Sequence, residues 1–220
     1  MKLLFCSLSD RPNISKVNYD HLKEYCDKHD YKLVLENKSL DKNRHQSWSK
    51  INLIQREMKY NTDYDYIVWI DDDILITDKN KKFEEFINEY PNENVFISED
   101  GEKSYPMNCG VMVCKNNDNT KKYLSYIWNL CETKYPEHKF GPNWEQCVIT
   151  KDYLETNLMN PNEKPFIKII PYNTIQTFQR DQPYNNMDWK LGCFSAHFCG
   201  MPDEKKISYR NDILKILNKK

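Results

Sequence analysis

The chain has 220 residues, of which 39% are hydrophobic, and 32 basic against 33 acidic residues give it a formal net charge of −1. That is enough apolar material for one substantial core, and evenly mixed charge does not favour a nucleic-acid partner. No stretch approaches the unbroken apolar length of a membrane span, and Met1–Ser7 is too short for a secretory signal, so a cytoplasmic location is expected.

In chain order, Lys2–Ser7 reads as a first strand, and Val17, Leu22, Tyr25 and Cys26 give an apolar side to a helix over Val17–His29. Tyr31–Leu35 alternates as a second strand. Ser47 can cap a helix carrying Trp48, Ile51 and Met58, and the apolar run Tyr66–Ile70 follows. This β-α-β-α-β order predicts a parallel, nucleotide-binding half. Beyond it, Lys81–Tyr90 reads as a helix, Asn94–Ile97 and Gly110–Cys114 as strands, and Asn119–Lys134 and Trp144–Leu154 as helices. Phe166–Ile170 and Phe194–Phe198 read as late strands and Ile207–Leu217 as a terminal helix. The expectation is one α/β domain over 1–220, divided near residue 100 into a donor-side and an acceptor-side half. The eight cysteines are scattered, mostly in apolar segments (Cys6, Cys114, Cys131, Cys147), and lack zinc spacing, which predicts buried free thiols in a reducing compartment.

Chemistry concentrates where Tyr66–Ile70 stops on Asp71, Asp72 and Asp73. A run of large apolar residues suits a strand buried on both faces, and three adjacent acids are tolerable where such a strand emerges. Ligands of open α/β sheets bind at that end. Residues two apart share a face, so Asp71 and Asp73 can converge while Asp72 points away. Two convergent carboxylates suit a divalent ion that also holds phosphate oxygens; a solvated acidic turn is the bland alternative.

Other residues admit paired readings. His197 is either a core histidine or a third metal ligand. Ser7, at the end of the first strand, either meets a nucleoside or packs there. Lys50 contacts phosphate or is solvated, and Asn108 bonds sugar hydroxyls or shapes the turn before Gly110. Asn143 and Gln146 fit a capping box, leaving Gln146 open between cap and site. Glu145, which capping does not require, has the stronger claim to orient an acceptor or steady a positive sugar. Trp144 and Trp189 could stack an acceptor sugar.

These pieces, in this order, resemble the glycosyltransferase family that includes fungal α-1,2-galactosyltransferases, Golgi α-1,6-mannosyltransferase subunits and plant xyloglucan xylosyltransferases. The likeness runs through Asn18–His21 and the turn His29-Asp30-Tyr31, Trp48-Ser49-Lys50, Trp69–Asp73, Asn108-Cys109-Gly110, Glu145-Gln146 and His197–Gly200. It implies a GT-A fold, Rossmann-like, with a mostly parallel central sheet flanked by helices. It also implies a nucleotide-sugar donor (a UDP-sugar), a Mn2+ or Mg2+ ion, a glycan or small-molecule acceptor, and retention at the anomeric carbon. Carried over, Asp71, Asp73 and His197 are the metal ligands. Ser7, Lys50, Asp71, Asp72, Asn108, Gly200 and Lys205 contact the donor, and Glu145 and Gln146 do catalytic work. The family's lysine soon after His-x-x-Gly is displaced here, because Met201–Glu204 precede Lys205 and Lys206. Two other functions fit clustered acids: a GT-A module that binds without turnover, and a metal-dependent phosphoryl-transfer enzyme.

Overall fold

The computed structural model describes residues 1–100, 106–159, 166–179 and 188–219. Strand β1 (Leu3–Leu8) is buried at every position. It leads through α1 (Pro12–His29) to β2 (Lys32–Glu36), and α2 (Ser49–Tyr60) leads on to β3 (Tyr66–Ile70). The short β4 (Ile74–Ile76), α3 (Phe83–Glu89), β5 (Val95–Ser98), β6 (Asn108–Lys115), α4 (Asp118–Thr133) and α5 (Trp144–Met159) come next. The remaining elements are β7 (Ile167–Ile170), β8 (Thr177–Phe178), β9 (Ser195–His197) and α6 (Asp203–Leu217).

The main sheet has the order β2-β1-β3-β6-β5-β7. Only β6 is antiparallel to its neighbours, so the sheet is mostly parallel, as expected. Period-two alternation splits each strand between two cores. Leu4, Cys6, Ile67 and Trp69 pack under α2, α4 and α5 with Trp48, Ile51, Leu124 and Val148. Leu3, Phe5, Tyr66 and Val68 pack under α1 and α3 with Leu22, Tyr25, Phe83 and Phe86. Both faces covered is why these strands read as unbroken apolar runs.

A second sheet, β4-β9-β8, was not expected from the sequence except for β9. It begins directly after the acidic triplet, so Asp71–Asp73 form the corner between the two sheets. Three local details also differ from expectation. Ser47 lies inside a 3-10 turn, Gln46–Trp48, whose cap is His45; the His45 ring accepts from the Ser47 amide. Helix α1 starts earlier, with Pro12 in its first turn, where a missing N–H costs nothing. Helix α6 starts at Asp203, which places Lys205 and Lys206 in its first turn. Five of the eight cysteines are buried, and Cys147, Cys193 and Cys199 are half-buried. Among the described residues, no helix is long and apolar enough to cross a membrane.

Candidate active site

At the carboxyl ends of β1 and β3 lies a cleft of about 750 Å³, lined by Arg11, Lys50, all three acids of the triplet and Glu145. Further along it lie Asn108, His197, Gly200 and Lys206. Asp71 leaves β3 with its amide donating to Gly110 O (2.8 Å), while the Trp69 indole N–H donates to Asp71 Oδ1 (2.5 Å). Asp73 is fixed by β9: Ile74 pairs with His197 in antiparallel register, and the Phe198 amide donates to Asp73 O. That pairing delivers His197, far along the chain, to the triplet.

His197 Nε2 lies 3.2 Å from Asp73 Oδ1, and Lys206 Nζ lies 2.5 Å from Asp73 Oδ2. Burial pushes the Asp73 carboxyl up, but His197 and Lys206 outweigh it and hold it far below the usual carboxylate range. One ligand atom each from Asp71, Asp73 and His197 fall within 4.8 Å of one another. Donors roughly 2.1 Å from one ion sit about 3 Å apart at right angles. The spacing and the oxygen–oxygen–nitrogen donor set therefore fit a manganese- or magnesium-like ion. His197 Nδ1 is buried without a partner.

Asp72 does point away from this trio, yet not into water. Arg11 grips it through Nε–Oδ2 (3.1 Å) and NH2–Oδ1 (2.5 Å), Ser9 Oγ donates to Oδ2 (2.5 Å), and Asn18 donates to its carbonyl. Burial and the adjacent Asp73 raise its carboxyl, with Arg11 pulling the other way. Asp72 thereby ties β1 and α1 to the triplet.

Lys50 is buried rather than solvated. Its Nζ donates to Cys109 O (2.6 Å) and Glu145 Oε1 (2.9 Å) and lies 3.2 Å from Asp71 Oδ1. Burial would strip its proton, but Asp71 and Glu145 keep it firmly charged. Glu145 is raised by burial, an effect that Lys50 only partly offsets, and its Oε2 is buried without a partner. Gln146 Oε1 accepts from the Cys109 amide (3.0 Å), joining α5 to β6. Asn108 Nδ2 donates to Asp100 Oδ2 (3.0 Å), and its Oδ1 accepts from the Gly110 amide (2.9 Å). Asn108 thus shapes the strand entry while lining the cleft.

The cleft gathers Lys50, Asp71, Asp72, Asp73, Asn108, Glu145, Gln146, His197 and Gly200. Ser7 is outside it, bonded to Tyr19 (3.2 Å). Lys205 is exposed, and its neighbour Lys206 reaches the site instead. Trp189 is a core residue whose indole donates to Thr77, whereas Trp144 lines the cleft. Sequence reasoning missed Arg11, Asp100, Gln46 and His45 as lining residues. Asp100 carried a signal, an acid just past a strand; Arg11, Gln46 and His45 carried none.

The arrangement is that of the GT-A fold, and solved glycosyltransferase structures share it. One involved in glycosylating the major capsid protein of PBCV-1 has a TM-score of 0.74 at 18% identity, covering 96% of this chain and 100% of that one. The galactosyltransferase LgtC, solved with donor and acceptor sugar analogues, gives 0.57 at 10% identity, covering 96% of each chain. Mouse xyloside xylosyltransferase 1 gives 0.53 at 12% identity, covering 91% of this chain and 99% of that one. Residues 8–93 match the model of the galactosyl transferase GMA12/MNN10 family. No curated protein matches the chain in sequence. The solved structures show the GT-A fold, and the family match covers residues 8–93, the segment that carries the acidic triplet.

Proposed function

We propose that the chain is a metal-dependent, retaining transferase that moves a sugar from a UDP-sugar to a hydroxyl of a glycan or small-molecule acceptor. The observation that carries this reading is the convergence of Asp71, Asp73 and His197 in a cleft at the sheet's carboxyl edge. These three residues would hold Mn2+ or Mg2+. When bound, the ion supplies positive charge opposite the diphosphate, most strongly as the anomeric C–O bond breaks.

The chain's own residues do the rest. Lys206 keeps Asp73 ionised, and Lys50 fixes Asp71 and Glu145 in one rigid unit. Asn108 and Asp100 offer hydrogen bonds to sugar hydroxyls. Glu145 Oε2 faces no competing partner and can steady an oxocarbenium-like carbon. In the retaining route the acceptor oxygen bonds to the anomeric carbon on the face the diphosphate leaves, and the departing phosphate oxygen takes the acceptor proton. No protein base is then required. Cysteines buried in the core (Cys6, Cys26, Cys109, Cys114 and Cys131) suit a reducing compartment such as the cytosol.

Thermal unfolding with UDP and other nucleoside diphosphates, with and without Mn2+, tests the donor site. At a hundredfold excess over its dissociation constant a ligand adds roughly 2.7 kcal/mol. UDP should stabilise the protein only with metal, and Asp73→Asn should abolish the shift while staying folded. A full metal-dependent shift in Asp73→Asn would refute the assignment. Release of free sugar from a UDP-sugar separates an enzyme from a module that only binds.

A further inference from the structure

Two stacked rings form part of the cleft wall on the side of α5. His45 and Trp144 lie with centroids 3.9 Å apart and planes inclined by only 6°, and both line the cleft. The backbone beneath them is strained, since Asn143 (φ 58°) and Trp144 (φ 33°) are consecutive non-glycine residues in the left-handed region. Such conformations persist only where the surroundings over-determine them, and they gather at binding sites. Here two segments are locked together. The His45 amide donates to Lys139 O (2.8 Å), the Trp48 indole donates to His138 O (2.9 Å), and the Cys147 amide donates to Asn143 O (2.8 Å). Burial lowers the His45 pKa, which favours the neutral ring, against a small opposing pull from Asp10.

The result is a half-buried aromatic pair, one face of each ring covered by the other, in the wall of a cleft otherwise dominated by ionic groups. Two buried oxygens without partners belong to its immediate sequence neighbours, Gln46 Oε1 and Glu145 Oε2, and both residues line the same cleft. Unpaired buried acceptors call for donors from a ligand. A pyranose supplies both requirements, with an apolar C–H face for the rings and hydroxyl donors around its edge. We infer that the His45–Trp144 pair is the acceptor-sugar platform, with Gln46 Oε1 accepting from an acceptor hydroxyl. The word acceptor rests on the donor reading above; the sugar-binding surface does not.

Saturation-transfer NMR with the methyl glycosides of glucose, galactose, mannose and xylose tests it, in the presence of UDP and Mn2+. At least one glycoside should receive saturation from aromatic protons of the wild-type protein. Its affinity should fall about tenfold or more in Trp144→Ala and be largely kept in Trp144→Phe. The UDP–metal stabilisation should be unchanged in both variants, which also shows that they fold. Absence of binding by every glycoside, or binding that survives Trp144→Ala, overturns the platform. Loss of the UDP–metal shift from the wild type with glycoside binding intact would instead overturn the donor reading alone.

Discussion

Gly110 offers the sharpest test of how the metal trio is built. A Cβ on this residue would sit 2.4 Å from His197 Cε1, 2.8 Å from His197 Nδ1 and 2.9 Å from Asn108 Oδ1. Its φ is not positive, so alanine fits the backbone and the conflict is purely steric. His197 is 2% exposed and fixed in β9, so it can yield only by rotating away from Asp73 or by dragging the strand with it. Opening the 2.4 Å contact to an ordinary separation needs a shift of about 1 Å, and overpacking of this kind costs typically 1–3 kcal/mol. Displacing one of three ligands by that distance should weaken metal binding by about 10–100-fold, the range seen when ligand orientation is lost. Mn2+ titration by calorimetry, with urea denaturation alongside, separates the two effects in Gly110→Ala. If Gly110→Ala binds Mn2+ as tightly as the wild type while His197→Ala does not, the imidazole does not need this glycine and the reasoning fails.

Three further outcomes are expected. Asp30 ends α1 in the left-handed conformation (φ 58°) and is exposed, so Asp30→Gly should raise stability by a few tenths to about 1 kcal/mol; a lower melting temperature would contradict this. Burial and Lys79 lower the His21 pKa from its ordinary 6.5. The unfolded chain therefore binds more protons as pH falls below 6.5, and stability should drop there and level off beneath the native pKa. In His21→Gln the denaturation midpoint should fall less between pH 7.5 and 5.5, and an unchanged slope would exclude the residue. Lys50→Met strands two carboxylates, so it should cost about 3–5 kcal/mol by urea denaturation, part of it recovered in Lys50→Met/Glu145→Gln. A loss under about 1 kcal/mol would show that the lysine is not needed to hold them.

Strands buried on both faces announce themselves locally, so β1, β3 and β6 were legible, and so was the acidic corner that ends β3. The short β4 was not. Ile74–Ile76 directly after the acids reads as continuation or turn, and it becomes a strand only because β9 arrives to pair with it. His197 shows the same limit. Its local sequence left it open between a core histidine and a third metal ligand, and nothing in it shows the pairing with β4 that brings it to the triplet. Lys50 looked solvated because a first-turn lysine normally is; it is buried because α2 starts against the carboxyl end of β3, beside Asp71 and Glu145. Asp72 looked like an outward-facing acid because nothing in the spacing links it to Arg11. Pairings across distant segments carry no periodic signal, and here they make up most of the site.

The charges so assembled bear on why a cation and a diphosphate should enter together. Among the described residues lining the cleft, Asp71, Asp72, Asp73, Asp100 and Glu145 face Arg11, Lys50 and Lys206, five acids against three cations, which leaves two negative charges. Unit charges about 5 Å apart interact by roughly 3 kcal/mol at an effective dielectric constant near 20, so a nucleoside diphosphate approaching this cleft alone is repelled. The resident cations are already counted in that balance, each paired with a carboxylate. A divalent ion held by Asp71, Asp73 and His197 would cancel that excess and supply positive charge to the phosphates. On this account UDP affinity should rise with Mn2+ concentration until the trio saturates. Asp100→Asn, which removes one cleft acid that is not among the proposed ligands, should strengthen UDP binding at low metal; weaker binding in that variant would refute this electrostatic account.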